Sequence, residues 1–154
     1  MQGAEWVKVS ILKKSDFEKM KTLFLDVFTN EPWFDRWDNE EQLHAYLTEL
    51  TENNNSLTLA LYSEEEELIG CALGYIFNWW EGREYFIREF FISRKIQNQG
   101  AGSSFLQLMN GILKEKEVKH ITLTTEKNVP AYRFYHKNGF SDLKDSANLV
   151  KKVT

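Results

Sequence analysis

The stretch Val7-Lys8-Val9-Ser10-Ile11-Leu12 alternates apolar with polar residues and closes on two apolar ones. That period of two predicts a first strand over residues 7–12. Ser15, with Glu18 three residues on, has the form of a capping box. Phe17, Met20, Phe24, Val27 and Phe28 then recur at helical spacing, so a first helix is predicted to about Phe28. Residues 29–38 read as a loop in which Pro32 breaks any helix. Asp38 and Glu41 offer a second capping box, and Leu43, Tyr46, Leu47 and Leu50 mark one face of a second helix, ended by Asn53-Asn54-Asn55. Residues 57–62, 68–79 and 85–93 read as three strands of an antiparallel meander. They are joined by a solvated acidic tip at 63–67 and a turn at Glu81-Gly82.

Gly100 opens a helix whose inward stripe is predicted as Phe105, Leu108, Met109, Ile112 and Leu113. Residues 120–124 read as a strand. Pro130 suits the first turn of a last helix, with Asn128 as its N-cap and Gly139 as the left-handed residue past its end. Residues 140–143 and 149–153 are predicted as short terminal strands. The resulting order, β-α-α-β-β-β-α-β-α-β with one more strand at the end, implies an α/β (α+β) fold. A mixed, mostly antiparallel central sheet carries helices on both faces, in one domain over 1–154. No linker, repeat or low-complexity tract interrupts it.

Composition narrows the function classes. The 154 residues are 42% apolar, which is a globular composition. The single Cys71 excludes an internal disulfide and a thiolate metal cluster, and its apolar surroundings predict a buried thiol. Three scattered histidines give no metal-ligand spacing. His44 and His120 read as structural and His136 as a surface residue. A net charge of −4 argues against nucleic acid as a partner, and no apolar run is long enough for a bilayer. With neither a basic n-region nor an apolar h-region at the start, a cytoplasmic location is expected.

The chemistry concentrates in Ile92-Ser93-Arg94-Lys95-Ile96-Gln97-Asn98-Gln99-Gly100-Ala101-Gly102-Ser103, where a strand passes through a polar loop into a helix. Gly100 and Gly102 let main-chain N–H groups approach a bulky anion, and the helix N-terminus adds unpaired donors and a favourable dipole. A dinucleotide fingerprint would need a glycine at position 105, which is Phe105, and a Gly-Lys-Ser/Thr phosphate loop is absent. What remains is Gln97-x-x-Gly100-x-Gly102.

This pattern resembles the coenzyme A signature of the GNAT superfamily of N-acetyltransferases. Asn128, Ala131, Phe134-Tyr135 and Gly139-Phe140 stand in the arrangement of its second marker. The element order agrees too, so the resemblance covers most of the chain. Arg94 stands where many relatives carry proline; it adds a positive charge beside the loop. The resemblance implies acetyl-coenzyme A as cosubstrate and no metal. Phe91 and Ile92 would pair main chain to the pantetheine arm, and Gln97, Asn98, Gln99, Gly100, Ala101, Gly102 and Ser103 would cradle the diphosphate. Asn128 and Tyr135 would also contact the coenzyme.

It further implies direct attack of an amine on the thioester in a ternary complex. A primary amine of pKa about 10.4 is less than about one part in a thousand neutral at pH 7, so its proton must be removed. Glu89, on the strand that splays from its neighbour in this family, is the candidate base. A main-chain N–H near Phe91 would stabilise the oxyanion, and Tyr135 would protonate the leaving thiolate. Each has a plainer reading: Glu89 paired with Arg88 or Arg83, Tyr135 as a packing ring. Acceptor sites of the family draw on the loop between the first two helices and on the central hairpin. Here these hold Trp33, Asp35, Trp37 and Trp79, which with Glu89 suit a cationic amine by ion pairing and cation–π attraction. The same rings have a packing reading. The implied acceptor is a small cationic metabolite, an aminoglycoside-like compound or a protein amine. A catalytically silent coenzyme-binding sensor and a protein-interaction domain are the competing functions. Dimerisation is common in the family, and the terminal strands could mediate a homodimer.

Overall fold

The structure, a computed structural model, describes residues 8–154, so Val7 of the expected first strand lies outside the described residues. The chain divides into two compact units, Met1–Thr124 and Thr125–Thr154.

The first unit is built on a five-stranded sheet in the order β1-β2-β3-β4-β5: Lys8–Ile11, Ser56–Tyr62, Leu68–Trp79, Gly82–Ile92 and Val118–Thr122. The first four strands are antiparallel in sequence order, and β5 returns parallel to β4. Helices α1 (Phe17–Phe28) and α2 (Glu40–Thr51) lie against one face. There Met20, Phe24, Leu43, Leu47 and Leu50 bury themselves with Ala60, Tyr62, Cys71, Leu73 and Phe91 of the sheet. Helix α3 (Ala101–Glu115) packs Phe105 on the ring of Phe90, centroids 5.2 Å apart. Leu73 and Phe91 belong to the core beneath α1 and α2, so Phe90, between Glu89 and Phe91, turns to the opposite face, which α3 covers.

Local details differ from expectation where short-range chemistry competes. The Ser15–Glu18 box does not form; a 3₁₀ turn (Lys14–Asp16) leads into α1, whose N-cap is Asp16 without a side-chain cap bond. The cap of α2 sits one residue later than expected. Asn39 accepts from the Gln42 N–H at 2.8 Å, while the Gln42 side chain accepts from the Asp38 N–H at 2.7 Å. In α3 Leu106 is buried at 6% exposure, whereas Leu108, at 39%, is not part of the stripe.

The second unit carries α4 (Pro130–Lys137), with Pro130 in its first turn and Gly139 at φ +95° past its end. Its N-cap is Val129, not Asn128. Neither expected terminal strand forms. The Phe140 N–H returns to Tyr135 O, a Leu143–Ser146 turn interrupts the tail, and Asp142 is engaged by Tyr132 and His136. Residues 140–146 commit backbone to these local bonds, and at 149–153 Leu149, Val150 and Val153 are more than 90% exposed, with no packed face to support a strand.

Candidate functional site

Strand β4 organises the site through two irregularities. The first is a bulge. Leu73 faces Glu89 but Gly74 faces Ile87, which leaves Arg88 as the extra residue. In a regular strand Ile87 and Glu89 would share a face. The inserted residue breaks that parity, so Glu89 points with Leu73 and Phe91 toward α1 and α2 while Ile87 points to the other side. Gly74 makes room for this. A Cβ there would stand 2.0 Å from the carbonyl oxygen of Phe86 and 3.1 Å from Ile87 Cα. The second irregularity is a splay. Pairing with β5 stops at Phe86–Thr122, and from Ile87 to Ile92 β4 has, among the described residues, a partner strand on its β3 side alone.

Glu89 sits at the bulge, largely withdrawn from water. The Tyr46 hydroxyl of α2 donates to its Oε2, and the Arg88 Nε donates to the Tyr46 hydroxyl at 3.2 Å. Burial holds the Glu89 carboxyl above the ordinary glutamate range; the Tyr46 hydrogen bond and the Arg88 charge pull it down, and the Asp35 charge pushes it up. Asp35 is likewise raised by partial burial. Of the residues expected for the acceptor, Trp37 lies against Tyr46 with ring centroids 5.2 Å apart, and Trp33 packs on Phe28 at 5.6 Å. Both are partly buried against the core, so their packing reading holds at least in part. The structure brings Glu89, Asp35, Tyr46 and Trp37 into one cluster. It does not bring Trp79 there. That residue lies six positions along β3 from Leu73, about 20 Å at a strand's rise, beside Trp80 at an exposed hairpin tip.

The loop after β4 is braced by its own side chains. The Ser93 hydroxyl accepts from the Lys95 N–H, and Gln97 Nε2 donates to Ile92 O at 3.0 Å. The first position of the Gln-x-x-Gly-x-Gly motif therefore fixes the loop to the end of β4, and it occupies the Ile92 carbonyl that the sequence assigns to coenzyme pairing. Arg94 reaches Asp26 on α1, its Nε 3.2 Å from Oδ2. Asn98 (φ +65°) and Gly100 (φ +84°) take left-handed backbone, and a Cβ at Gly100 would meet nothing within 4 Å. The first internal bond of α3 runs from the Ser104 N–H to Gly100 O. The N–H groups of Ala101, Gly102 and Ser103 thus have no partner within the helix, and no acidic residue stands in its first turn. A donor set of this kind, opening on free space, suits an anion.

In the second unit Tyr135 packs edge-on against Phe134 and Phe140, each 5.3 Å away by centroids. Asn128 lies two residues before α4. His136 Nε2 is 2.8 Å from Asp142, in keeping with the surface role expected for it. Cys71 is buried as expected, and burial pushes its thiol far up. Among the described residues no group of three or more His, Cys, Asp or Glu could hold a metal ion, and no helix is long and apolar enough to cross a membrane.

The model of the acetyltransferase (GNAT) family matches residues 17–140. Among solved structures, an aminoglycoside acetyltransferase from an uncultured soil metagenomic sample, in complex with sisomicin, superposes with TM-score 0.73 at 18% identity, covering 98% of this chain and 99% of that one. A protein described as a probable acetyltransferase gives TM-score 0.77 at 14% identity over 96% and 99% of the two chains. A transcriptional regulator from Bacillus halodurans C-125 gives 0.70 at 20% over 96% and 99%. At these identities the likeness is one of fold. No curated protein matches the chain significantly.

Proposed function

The chain belongs to the GNAT acetyltransferase family and is an acyltransferase, and from that premise we propose that it moves an acetyl group from acetyl-coenzyme A to the primary amine of a small cationic acceptor. The observation that carries the acceptor class is the Glu89–Asp35 pair of carboxylates beside the Trp37 and Tyr46 rings. Two anions lined by aromatic faces favour a cation over a neutral or anionic acceptor. The sisomicin complex of one structural neighbour is a cationic precedent on the same fold.

Family members take acetyl-coenzyme A as cosubstrate, and the residues at the mouth of α3 fit its diphosphate. Three helix N–H groups, the left-handed Gly100 with free space at its Cβ position, and Lys95 nearby would hold it. When bound, the coenzyme supplies an acyl group activated as a thioester. The chain's own residues do the rest. The β4 edge from Ile87 onward orients the arm by main-chain contacts, but not through the two carbonyls expected for it: that of Ile92 is held by Gln97, and that of Phe91 turns toward Gly70 of β3. Glu89 takes a proton from the acceptor nitrogen, and raised basicity suits that task near neutral pH. The Tyr135 hydroxyl supplies a proton to the departing sulfur, a role that rests on its place in the Phe-Tyr-x-x-x-Gly-Phe motif.

The test is thermal unfolding with acetyl-coenzyme A, then a panel of cationic, neutral and anionic amines assayed by thiol release. Coenzyme at a hundredfold its Kd adds about 2.7 kcal/mol, or roughly 5–10 °C in Tm for a domain of this size. Preference for neutral or anionic amines would overturn the acceptor class, and binding without turnover on any amine would overturn the enzyme reading.

A further inference from the structure

The hydrogen bonds around Glu89 have a direction. A phenol has one hydrogen to give and lone pairs to receive. Arg88 Nε donates to the Tyr46 oxygen at 3.2 Å, and a guanidinium cannot accept, so the Tyr46 hydrogen is left for Glu89 Oε2. The Tyr46 ring is itself fixed by Trp37 at 5.2 Å and Phe24 at 6.4 Å. Arg88 is where it is because it is the inserted residue of the bulge. Glu89 Oε1 has no hydrogen-bond partner among the described residues.

We infer that Tyr46, held by Arg88, is the positioning residue for Glu89: it occupies Oε2, aims the carboxylate, and leaves Oε1 as the one oxygen that receives the proton of the acceptor amine. This rests on the reading of Glu89 as the proton acceptor. The accounting is simple. The N–H bond of the acceptor ammonium breaks, its electron pair stays on nitrogen for the attack, and an O–H bond forms at Oε1. Tyr46 keeps its own proton throughout, since burial and the Glu89 charge hold its phenol well above the ordinary tyrosine range. The charged or titratable groups that act on Glu89 are Tyr46 from α2, Arg88 from β4 and Asp35 from the loop between α1 and α2; Tyr75 of β3 acts on Arg88 in turn.

Nothing in the Gln-x-x-Gly-x-Gly signature includes Tyr46, and the contact spans 43 residues of sequence. The role differs from plain packing in what it predicts. Tyr46→Phe keeps the ring but removes a donor that favours the charged carboxylate, so Glu89 titrates at higher pH. Arg88→Gln removes a cation and the bond that orients the phenol, and shifts the titration the same way.

The experiment needs no acceptor. The Glu89 side-chain carboxyl is followed by carbon-13 NMR as a function of pH in wild type, Y46F and R88Q, with E89Q assigning the signal. An upward displacement in Y46F, with Tm and acetyl-coenzyme A affinity near wild type, is expected. An unmoved titration in folded Y46F overturns the positioning role. Should Y46F fail to fold, R88K, which keeps the cation but removes the Nε bond to Tyr46, decides by the same readout. Kinetics on the best amine of the panel then separate the two claims. The acid limb of kcat/KM should follow the NMR titration, and Y46F should lose about tenfold in rate below it. A limb that stays at the wild-type pH in E89Q, instead of moving up to follow the free amine, overturns the reading of Glu89 as proton acceptor, whatever Tyr46 does to the carboxyl.

Discussion

Gly74→Ala perturbs the site from the neighbouring strand by a single methyl group. The added Cβ would lie 2.0 Å from the Phe86 carbonyl oxygen and 3.0 Å from its carbon. Both are backbone atoms of the strand opposite, so no side-chain rotation relieves the contact. Overpacking of this kind costs about 1–3 kcal/mol. Alanine offsets roughly 0.5–1 kcal/mol of that by restricting the unfolded chain. The net loss is then on the order of 1–2 kcal/mol, or about 2–8 °C in Tm for a domain of this size. The larger effect is on the bulge. If β4 relieves the clash by expelling the inserted residue, Glu89 turns to the face occupied by Ile87 and leaves Tyr46. Misplacement of a reacting group by about 1 Å can cost about a hundredfold, so amine turnover should fall at least that far. The cradle at α3 lies beyond the bulge and should keep acetyl-coenzyme A affinity near wild type. Calorimetry, coenzyme titration and thiol-release kinetics read the three quantities. Wild-type Tm with wild-type turnover would refute the claim that the bulge depends on a missing side chain in β3.

Other substitutions test other parts. Glu89→Gln should make the rate climb about tenfold per pH unit between pH 7 and 9, following the free amine, because the raised carboxyl no longer collects the proton at lower pH; an unaltered profile places the base elsewhere. Gly100→Ala meets no neighbour but must adopt φ +84°, so it should lower stability by about 1 kcal/mol and weaken coenzyme binding severalfold; unchanged affinity by calorimetric titration would remove the cradle from the diphosphate site. Tyr135→Phe should lower turnover with coenzyme affinity retained, and equal turnover would take it out of the reaction. Cys71 should ignore a disulfide reagent in the folded protein and react once denaturant is added, since burial suppresses its thiolate. A fast stoichiometric reaction in the native state would contradict its placement.

The fold was legible wherever burial imposes a period. Met20, Phe24, Val27 and Phe28 set α1, the apolar run of β3 set its limits to the residue, and Gly100 marked the start of α3. What failed was decided by short-range competition. Asn39 rather than Asp38 caps α2, and the part of the strand-like tail up to Ser146 spends its backbone on turns. The cradle could be read because its chemistry is local: consecutive main-chain amides and the glycines that expose them. The Glu89 cluster could not. Alternation alone puts Ile87 and Glu89 on one face, and the bulge that separates them leaves its trace in Gly74, on another strand. Tyr46 read as one more residue of an apolar helix face. Its hydroxyl gains meaning only from the placement of α2 over β4. The family resemblance puts Trp79 of the central hairpin with Trp33 and Trp37 of the loop between α1 and α2, whereas the length of the hairpin carries it away.

Because β5 stops level with Phe86, the strand-free flank of β4 is a notch between the last two strands of the sheet, closed at one end by the outermost strand, β5. A sheet border recruits other chains, since a strand of any length can lie along it. The notch is closed at its base by β5, so a strand from another molecule cannot run through. A narrow main-chain mimic can still enter tip first. At this flank the chain therefore offers hydrogen-bonding backbone to a ligand along a run closed at one end, a poorer template for a second strand than an open border.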